Sequence, residues 1–488
     1  MYSSNFLQEL KDLENFKDIK IRSIHLDSRE VKEGGLFFAI KGHDKDGNDF
    51  ISSAISNGAS LVISDTYQKY TERVIYFKEL KKYIGIFASR FYNSPSSKIK
   101  SICVTGTNGK TTSVETFANM SNLLGYKSGF MSTINFSKDG LMLEKSDLTT
   151  PDAIKIHKNI KDSLESDAIY IAMEASSHGL EQDRLIGLDI DYAILTSFSH
   201  DHLDYHGDIQ SYQSAKEKLF LDLNPKKNIV CIDSSFGKKL HSKLLKNNKE
   251  TYSISIKENA DFHASFEKSP IGLKVNLKAF EKNLTFELKT FSRYLASNII
   301  CSMAVLILEG VKLSEISKIA KDIVLPQGRL ERIIKNQQVI YIDYAHTPEA
   351  LECTLKELNN MHQEPIWCLF GCGGNRDKDK RPLMGKIAQK YSNHIVLTND
   401  NPRDEDEMDI INDILSEIKE MEHISINLDR KDAIESSILE MERNDINGVL
   451  LIAGKGHENY QEVNGNFCLL YTSPSPRDQR GSRMPAWA

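Results

Sequence analysis

Several features are missing from this 488-residue sequence, and each absence excludes a class of protein. No apolar run approaches the ~18 residues that a membrane-spanning helix needs, and the charged N-terminus lacks the form of a signal peptide. The net charge of −6 is too small to indicate binding to nucleic acid. The seven cysteines form no CxxC pair, and several lie in apolar runs, as core thiols in a reducing compartment do. We therefore expect a cytoplasmic protein without membrane insertion and without a nucleic-acid partner.

The length predicts about three domains. Residues 1–97 contain short strand-like runs around one helix-like run and end in a linker rich in Ser, Pro and Lys. Residues 98–325 alternate apolar strands (SICVTG, AIYIAM, YAILTS, NIVCID) with helices, which is typical of a parallel, doubly wound sheet. Residues 326–467 alternate in the same way, and each strand ends in a loop rich in Gly, Asp or His. The predicted architecture is α/β with three domains at these bounds.

The last residues, 468–488, differ abruptly in composition from the rest of the chain. They read CLLYTSPSPRDQRGSRMPAWA, without helical or strand periodicity, and resemble the translated read-through of a sequencing adapter. We expect this tail to be an artefact outside the fold. The natural protein is then expected to continue past Phe467 with other residues.

The stretch SICVTGTNGKTT has the features of a phosphate-binding loop between a strand and a helix. Gly106 and Gly109 permit a tight turn with close approach of backbone N–H groups to an anion. Lys110 supplies a charge for the outer phosphates, and Thr111 offers a hydroxyl to Mg²⁺. The following helix would direct its positive end at the same point. The predicted ATP-binding loop is Gly106, Thr107, Asn108, Gly109, Lys110, Thr111 and Thr112.

Polar side chains follow two later strands, where a parallel sheet carries its chemistry. Glu174 follows IYIAM, and His202 follows YAILTS. Lys216, by contrast, looks from the residues alone like one more helix-surface lysine beside Lys218. At this level a ligase and a phosphate-loop regulatory switch or motor both remain open.

Further motifs distinguish these alternatives. From about residue 20 to Phe467 the chain resembles the Mur ligases, ATP-dependent amide ligases of bacterial cell-wall synthesis. The motifs that carry the resemblance are DSREVKEGGLF, GTNGKTT, LTTPD, MEASSHGL, DHLDYHGD, YQSAKEKLF, GRLER, DYAHTPEAL, GCGGNRDKDKRPLM, DNPRDE and AGKGHENYQ. A switch would not need DSRE, LTTPD or a third α/β domain that ends in GKGHE.

The resemblance implies a reaction in which ATP phosphorylates a carboxylate and an amine then attacks the acyl phosphate. It implies a small uridine-binding domain, a central phosphate-loop ATPase domain and a Rossmann-like amino-acid-binding domain. The implied substrates are ATP, UDP-N-acetylmuramoyl-L-alanyl-D-glutamate and meso-2,6-diaminopimelate, and the implied cofactor is Mg²⁺. The enzyme is expected to be a monomer. Lysine-adding and folate-glutamate ligases of the same superfamily are the alternatives, although folate enzymes lack the uridine-binding unit.

The resemblance also implies roles for individual residues. The implied catalytic residues are Lys110, Glu174, His202 and a carbamylated Lys216, and the implied metal ligands are Thr111, Glu174, His202 and Lys216. Further ATP contacts would be Asn298, Arg329 and Asp343, with His346 beside them. Contacts to the UDP-substrate would be Ser28, His43, Asp44, Lys45, Thr149, Thr150, Ser176 and Arg184. Contacts to diaminopimelate would be Arg376, Asp400, Asn401, Pro402, Arg403, Gly454 and Glu458.

The chain departs from the common family pattern at Leu148, Ser197, His200 and Asn375, none of which is an implied catalytic residue. The resemblance implies diaminopimelate rather than lysine, because relatives that use diaminopimelate carry the DNPR sequence found at Asp400 to Arg403. The Arg403 guanidinium can hold the carboxylate that lysine lacks. A site built around such a pair is expected to reject lysine by roughly 10⁴-fold.

Overall fold

The structure is a computed structural model that describes residues 1–10, 19–42, 45–67, 73–137, 142–145, 148–335, 338–443 and 447–470. It divides into two compact units. The first unit comprises Met1–Phe198, Gln210–Thr290 and Leu295–Val324. The second comprises Ser199–Ile209, Phe291–Tyr294 and the described residues from Leu325 to residue 470. Within the described part of the chain, no helix combines the length and the apolar character needed to cross a membrane.

A four-stranded parallel sheet begins the first unit. Its strands, in spatial order, are β1 (Ser23–His25), β2 (Gly35–Ala39), β3 (Ala59–Ser64) and β4 (Val74–Tyr76). Helices α1 (Ile51–Ser56) and α2 (Leu80–Phe91) accompany it. Apolar residues of this sheet and of α2 pack with Ala153 and Ile154, the first two residues of the helix α4 (Ala153–Glu165).

The second sheet has 11 strands and fills the rest of the first unit. Its strands are β5 (Lys100–Thr105), β6 (Ser128–Met131), β7 (Asn135–Ser137), β8 (Met142–Lys145), β9 (Tyr170–Glu174), β10 (Tyr192–Leu195), β11 (Lys227–Cys231), β12 (Thr251–Ser255), β13 (Phe262–Ser269), β14 (Gly272–Ala279) and β15 (Lys282–Leu288). The spatial order is β15-β14-β13-β12-β11-β10-β5-β9-β6-β7-β8. The sheet is parallel from β13 to β6, whereas β14, β15, β7 and β8 pair antiparallel at the two edges.

The helices of this unit lie mainly between the parallel strands. They are α3 (Lys110–Leu123), α4 (Ala153–Glu165), α5 (Ser177–Glu181), α7 (Ile209–Leu221), α8 (Ser235–Lys246), α9 (Arg293–Leu308) and α10 (Leu313–Ile319), while α6 (Leu203–His206) belongs to the second unit. The strands β5, β9 and β10 are buried along nearly their whole length, which explains their continuous apolar sequences. Apolar residues of α4, α7 and α8 form one cluster with them.

A six-stranded sheet forms the second unit. In spatial order its strands are β16 (Glu331–Lys335), β17 (Gln338–Ile342), β21 (Val449–Ile452), β18 (Ile366–Phe370), β19 (His394–Leu397) and β20 (Ile424–Ile426). Only β16 is antiparallel to its neighbour. Alternate residues of β18 join two separate core clusters, one with α11 (Pro348–Met361), α12 (Lys380–Tyr391) and α13 (Glu407–Leu415), the other with α14 (Arg430–Arg443). This is a doubly wound sheet.

A hairpin of β22 (Tyr460–Val463) and β23 (Asn466–Leu469) follows. Its last strand includes Cys468 and Leu469, so the strand extends into the first residues of the predicted tail. Residues 471–488 lie outside the described residues. The α/β class and the three-part architecture are confirmed, since each predicted segment has its own sheet. The antiparallel edges of the central sheet are a difference from the predicted parallel sheet.

Candidate active site

The loop between β5 and α3 brings backbone N–H groups around one point. Gly106 and Gly109 have φ angles of 155° and 88°. A Cβ atom on Gly106 would lie 2.1 Å from Thr196 Oγ1, and one on Gly109 would lie 2.3 Å from Asn298 Oδ1. Both positions therefore need glycine for backbone conformation and for space. Gly109 is the N-cap of α3 and has no side chain that could cap the helix, so an anion can approach the positive end of α3 closely.

Side chains hold this loop in place from two directions. Ser197 Oγ accepts from Asn108 N at 2.9 Å and donates to Asn108 O at 3.0 Å. Lys110 Nζ donates to the carbonyl groups of Gly106 at 3.0 Å and Thr107 at 2.9 Å. The ammonium group therefore lies at the loop where phosphate oxygens would bind.

Glu174, at the end of β9, is a carboxylate buried to 1% exposure. Its Oε1 accepts from Thr111 Oγ1 at 2.8 Å and from the backbone N–H of Thr133 at 2.7 Å. Thr133 Oγ1 lies 3.1 Å from both carboxylate oxygens. All of these donors are neutral, and no described residue places a cation in ion-pair contact with the carboxylate. A buried anion with neutral partners beside a phosphate loop has the character of a cation site.

Lys216 lies on α7 and is only 1% exposed. Its Nζ donates to Gly106 O at 3.0 Å and lies 4.4 Å from the centre of the Tyr212 ring. The Tyr212 hydroxyl is in turn 3.2 Å from Thr107 Oγ1. The interpretation of Lys216 as a surface lysine is wrong, because its side chain reaches the phosphate loop. The helix pattern contained the signal, since the buried residues Tyr212 and Phe220 lie four positions before and after it.

Residues implied in binding the acceptor gather on the other side of Glu174. Thr150 Oγ1 donates to the backbone carbonyl of Glu174 at 2.8 Å and contacts Ser176 Oγ at 2.9 Å. Arg184 Nη1 donates to the carbonyl of Thr150 at 2.5 Å. Thr149 is half-buried next to Thr150. Thr150, Ser176 and Arg184 thus form one hydrogen-bonded group at the end of β9.

The remaining residues implied for the UDP-substrate belong to the four-stranded sheet. Ser28 is buried, and its carbonyl accepts from Asn57 Nδ2 at 2.9 Å. Lys45 is exposed, whereas His43 and Asp44 lie outside the described residues. In the central part of the first unit, Leu148 is 47% exposed.

In the second unit, Asp343 follows β17 and accepts from the backbone N–H groups of Leu330 at 2.8 Å and Ala345 at 3.1 Å. Burial raises its pKa above the ordinary value, although Arg329 and these hydrogen bonds oppose the shift. The Arg329 guanidinium lies 4.4 Å from the centre of the Tyr344 ring. Arg329 and Asp343 therefore lie close to each other in this unit, and their contact with ATP stays a prediction.

The segment containing His202 also belongs to the second unit. His202 Nε2 lies 3.3 Å from a carboxylate oxygen of Asp201, and His346 Nε2 lies 4.0 Å from the same oxygen. Burial acts to raise the pKa of Asp201, but the neighbouring His202, His346 and Lys380 outweigh burial and hold it below the ordinary range. Asp201 thereby fixes the position of His202. His200 makes a separate contact, in which its Nε2 lies 3.1 Å from Asp377 Oδ2.

The amino-acid residues form a charged array at the ends of β19 and β21. Lys455 Nζ donates to Asn401 Oδ1 at 2.6 Å and to Glu458 Oε2 at 3.0 Å. Gly454 has a φ of 103°, and a Cβ atom there would lie 2.7 Å from an Asp400 carboxylate oxygen. Pro402 and Arg403 continue the same loop. The structure thus brings the DNPR and GKGHE motifs together.

A buried ion pair fixes the loops that carry Arg403 and Arg376. Arg381, with no exposed surface, donates to both carboxylate oxygens of Glu405 at 3.0 Å. Hydrogen bonding to Arg381 lowers the pKa of Glu405 to about 2. In the same loops, Asn375 Oδ1 accepts a hydrogen bond from Asp404 N at 3.2 Å. Arg376 itself is half-exposed.

Comparison with known proteins identifies the family. Three family models match in order: "Mur ligase family, catalytic domain" over residues 20–92, "Mur ligase middle domain" over 104–306 and "Mur ligase, glutamate ligase domain" over 328–456. The UDP-N-acetylmuramoyl-L-alanyl-D-glutamate–2,6-diaminopimelate ligase of Haemophilus influenzae (strain PittEE) is 36% identical over 476 residues, which cover 94% of this chain and 95% of the relative. This chain belongs to the Mur ligase family.

Other members of the family are similar over nearly the full length of this Mur ligase. The diaminopimelate ligase of Aquifex aeolicus (strain VF5) is 36% identical and covers 91% of each chain. A solved structure with the same enzyme title has 31% identity, a TM-score of 0.66 and 92% coverage of both chains. The MurF ligase of Thermotoga maritima, solved in complex with ADP, has a TM-score of 0.65 at 18% identity and covers 90% of this chain and 95% of its own. The last similarity concerns the fold alone.

Sequence reasoning missed four residues of this Mur ligase that contact the predicted ones: Thr133, Asp201, Lys455 and Glu462. Thr133 follows β6, the neighbour of β9 in the sheet, so strand-end position could have identified it. Asp201 is the first residue of the motif DHLDYHGD and Lys455 lies in AGKGHENYQ, so the motifs themselves contained the signal for both. Glu462 had no such signal, because its contact with Arg403 joins two segments that are distant in sequence.

Proposed function

We propose that this Mur ligase joins meso-2,6-diaminopimelate to UDP-N-acetylmuramoyl-L-alanyl-D-glutamate, with conversion of ATP to ADP and phosphate, in peptidoglycan precursor synthesis. The names of the relatives that match nearly the whole chain support this choice of substrates. The DNPR loop, with its guanidinium at Arg403, supports diaminopimelate over lysine within the same family.

One observation supports the proposal most strongly. The phosphate loop and the acceptor group, by which we mean Thr150, Ser176 and Arg184, both contact Glu174. Thr111, in the first turn after the loop, donates to the Glu174 side chain at 2.8 Å. Thr150, in the acceptor group, donates to the Glu174 backbone carbonyl at 2.8 Å. A γ-phosphate on the loop and a carboxylate held near Thr150 and Arg184 would therefore approach each other at the end of β9. Such an approach of two anions needs fixed positive groups and hydrogen-bond donors.

The reaction can be written from these groups. A carboxylate oxygen of the acceptor attacks the γ-phosphorus, and the bond to the β-phosphate oxygen breaks, which gives an acyl phosphate and ADP. The amine of diaminopimelate then attacks the acyl carbon, loses a proton, and expels phosphate with the former carboxylate oxygen. Lys110 and the N–H groups at the start of α3 would hold the charge of the phosphates, and Arg184 would orient the acceptor.

The family implies Mg²⁺, and the donor set in the first unit fits this ion. Thr111 and Glu174 offer hard oxygen donors, which Mg²⁺ prefers, and Glu174 is buried with neutral partners. When bound, the ion would neutralise charge on the phosphates. Among the described residues no group of three or more His, Cys, Asp or Glu is placed to hold a metal. Phosphate oxygens and further ligands from the same unit would have to complete its shell.

Lys216 would supply such a ligand only after a chemical change. Addition of CO₂ to its neutral amine, with loss of a proton, would give a carbamate, so that a cation becomes an anion. Its burial beside Gly106 supports this role, because an ammonium group there is costly and cannot bind a metal.

Phosphate release under omission of single substrates tests the proposal. We expect release only when ATP, the UDP-muramoyl dipeptide and meso-diaminopimelate are all present, because the amine is needed to expel phosphate. Steady release with ATP alone would indicate a phosphate-loop ATPase or switch instead. Release with lysine but not with diaminopimelate would indicate the lysine-adding relative.

A further inference from the structure

The Arg403 guanidinium already has a carboxylate partner within the protein. Its Nε donates to Glu462 Oε2 at 2.8 Å, and its Nη1 donates to Gly374 O at 2.8 Å. Both side chains are largely buried, with 20% exposure for Arg403 and 27% for Glu462. Among the described residues, Glu462 is the only carboxylate in ion-pair contact with Arg403.

The pairing is built into the backbone as well. Arg403 has a φ of 54°, a conformation that is uncommon for a residue with a side chain. Two hydrogen bonds to the hairpin hold it there: Arg403 N donates to Glu462 O at 3.0 Å, and Asn464 N donates to Arg403 O at 2.9 Å. The backbone N–H of Glu462 also donates to Asn401 Oδ1 at 2.9 Å. The hairpin strand β22 thus fixes both partners of the ion pair relative to the DNPR loop.

The geometry decides which donors remain for a ligand. Nε is occupied by Glu462, one N–H of Nη1 is occupied by Gly374, and no described residue accepts from Nη2. The terminal edge of the guanidinium, between Nη1 and Nη2, can still grip a carboxylate with two parallel hydrogen bonds. A bound amino acid with a second carboxylate would therefore share Arg403 with Glu462.

We propose that Glu462 sets how strictly this ligase chooses its amino acid. An arginine without an internal partner would bind a ligand carboxylate most strongly. When lysine binds, which lacks the second carboxylate, the charge of such an arginine would stay unpaired in a closed site. Glu462 compensates the guanidinium when lysine binds and opposes the second carboxylate of diaminopimelate. Glu462 thereby reduces the ratio of kcat/KM for diaminopimelate to kcat/KM for lysine. This ratio falls below the roughly 10⁴-fold expected of an unpaired arginine.

This inference rests on the proposed function and is tested with Glu462→Gln. The glutamine keeps an oxygen that accepts from Nε but removes the negative charge. We expect the ratio of kcat/KM for meso-diaminopimelate to kcat/KM for lysine to rise by about fivefold or more, on the scale of a partly buried charge pair. KM for ATP should not change. The matched control is Glu352→Gln, which removes a carboxylate that pairs with Lys356 on α11; it should leave the ratio as in the wild type.

The outcomes separate this inference from the function beneath it. A wild type that makes no product with meso-diaminopimelate overturns the proposed function. A wild type that makes product, with an unchanged ratio in Glu462→Gln, overturns only the inference. A lower ratio with a raised KM for diaminopimelate also overturns it, since Glu462 would then merely orient the guanidinium.

Discussion

Replacing Lys216 with alanine is expected to reduce ligation by about 10³-fold or more, on the scale of losing a group that supports charge on a transferring phosphoryl. The side chain is buried and ends at the phosphate loop, 3.0 Å from Gly106 O. If the working form is a carbamate, alanine removes an anion and leaves a cavity beside Tyr212. Short carboxylates such as formate or acetate should then restore part of the activity. The measurement is the rate of phosphate release with all three substrates, with and without added carboxylate.

Lys218→Ala is the matched control, because this lysine lies on the same helix but is 35% exposed and pairs with Asp183. It should retain activity close to that of the wild type. Full activity in Lys216→Ala would contradict the assignment of Lys216. The melting temperature is measured as well, to show that the variant is folded. A folded but inactive variant that no carboxylate rescues would argue against the carbamate, although Lys216 would still be essential for activity.

Arg403→Ala is expected to lower kcat/KM for meso-diaminopimelate by about 10²–10³-fold, the usual cost of truncating one partner of a buried charged contact. KM for ATP and for the UDP-substrate should change little. Glu462 loses its partner in this variant and becomes free to accept from an ammonium group. We therefore expect kcat/KM for lysine to rise, and the preference for diaminopimelate to be lost.

Two variants control this result. Arg332→Ala removes an exposed arginine from the same unit and should leave both amino acids unaffected. Arg403→Lys keeps the charge but not the planar fork, so it should recover only part of the activity with diaminopimelate. If Arg403→Ala keeps the wild-type preference, Arg403 does not select the amino acid.

The sequence predicts those parts of the fold that depend on local pattern. The strands β5, β9 and β10 are recognisable because both of their faces are covered, so each reads as a continuous apolar run. The phosphate loop is recognisable because Gly106 and Gly109 are required by conformation and by space at once. The doubly wound third sheet follows from the same alternation of strands and helices.

Other features depend on contacts between distant segments and could not be predicted in this way. The outer strands β14 and β15 alternate in burial as half-covered antiparallel strands do, and the apolar-run criterion does not detect them. The pairing of Arg403 with Glu462 joins a loop and a hairpin across 59 positions in the chain. Lys216 is an intermediate case: its helical spacing to Tyr212 and Phe220 predicts burial, but its charge suggested the surface.

Transfer of oxygen from the acceptor carboxylate to phosphate tests the central claim most directly. The UDP-muramoyl dipeptide is prepared with ¹⁸O in the reacting carboxylate and is incubated with ATP, meso-diaminopimelate and the ligase, and the phosphate is analysed by mass. If Glu174 marks the meeting point of the γ-phosphate and the acceptor, each phosphate released should carry one ¹⁸O, and ADP should be the other product. Unlabelled phosphate, or label found in AMP, would contradict activation through an acyl phosphate and with it this account of the site.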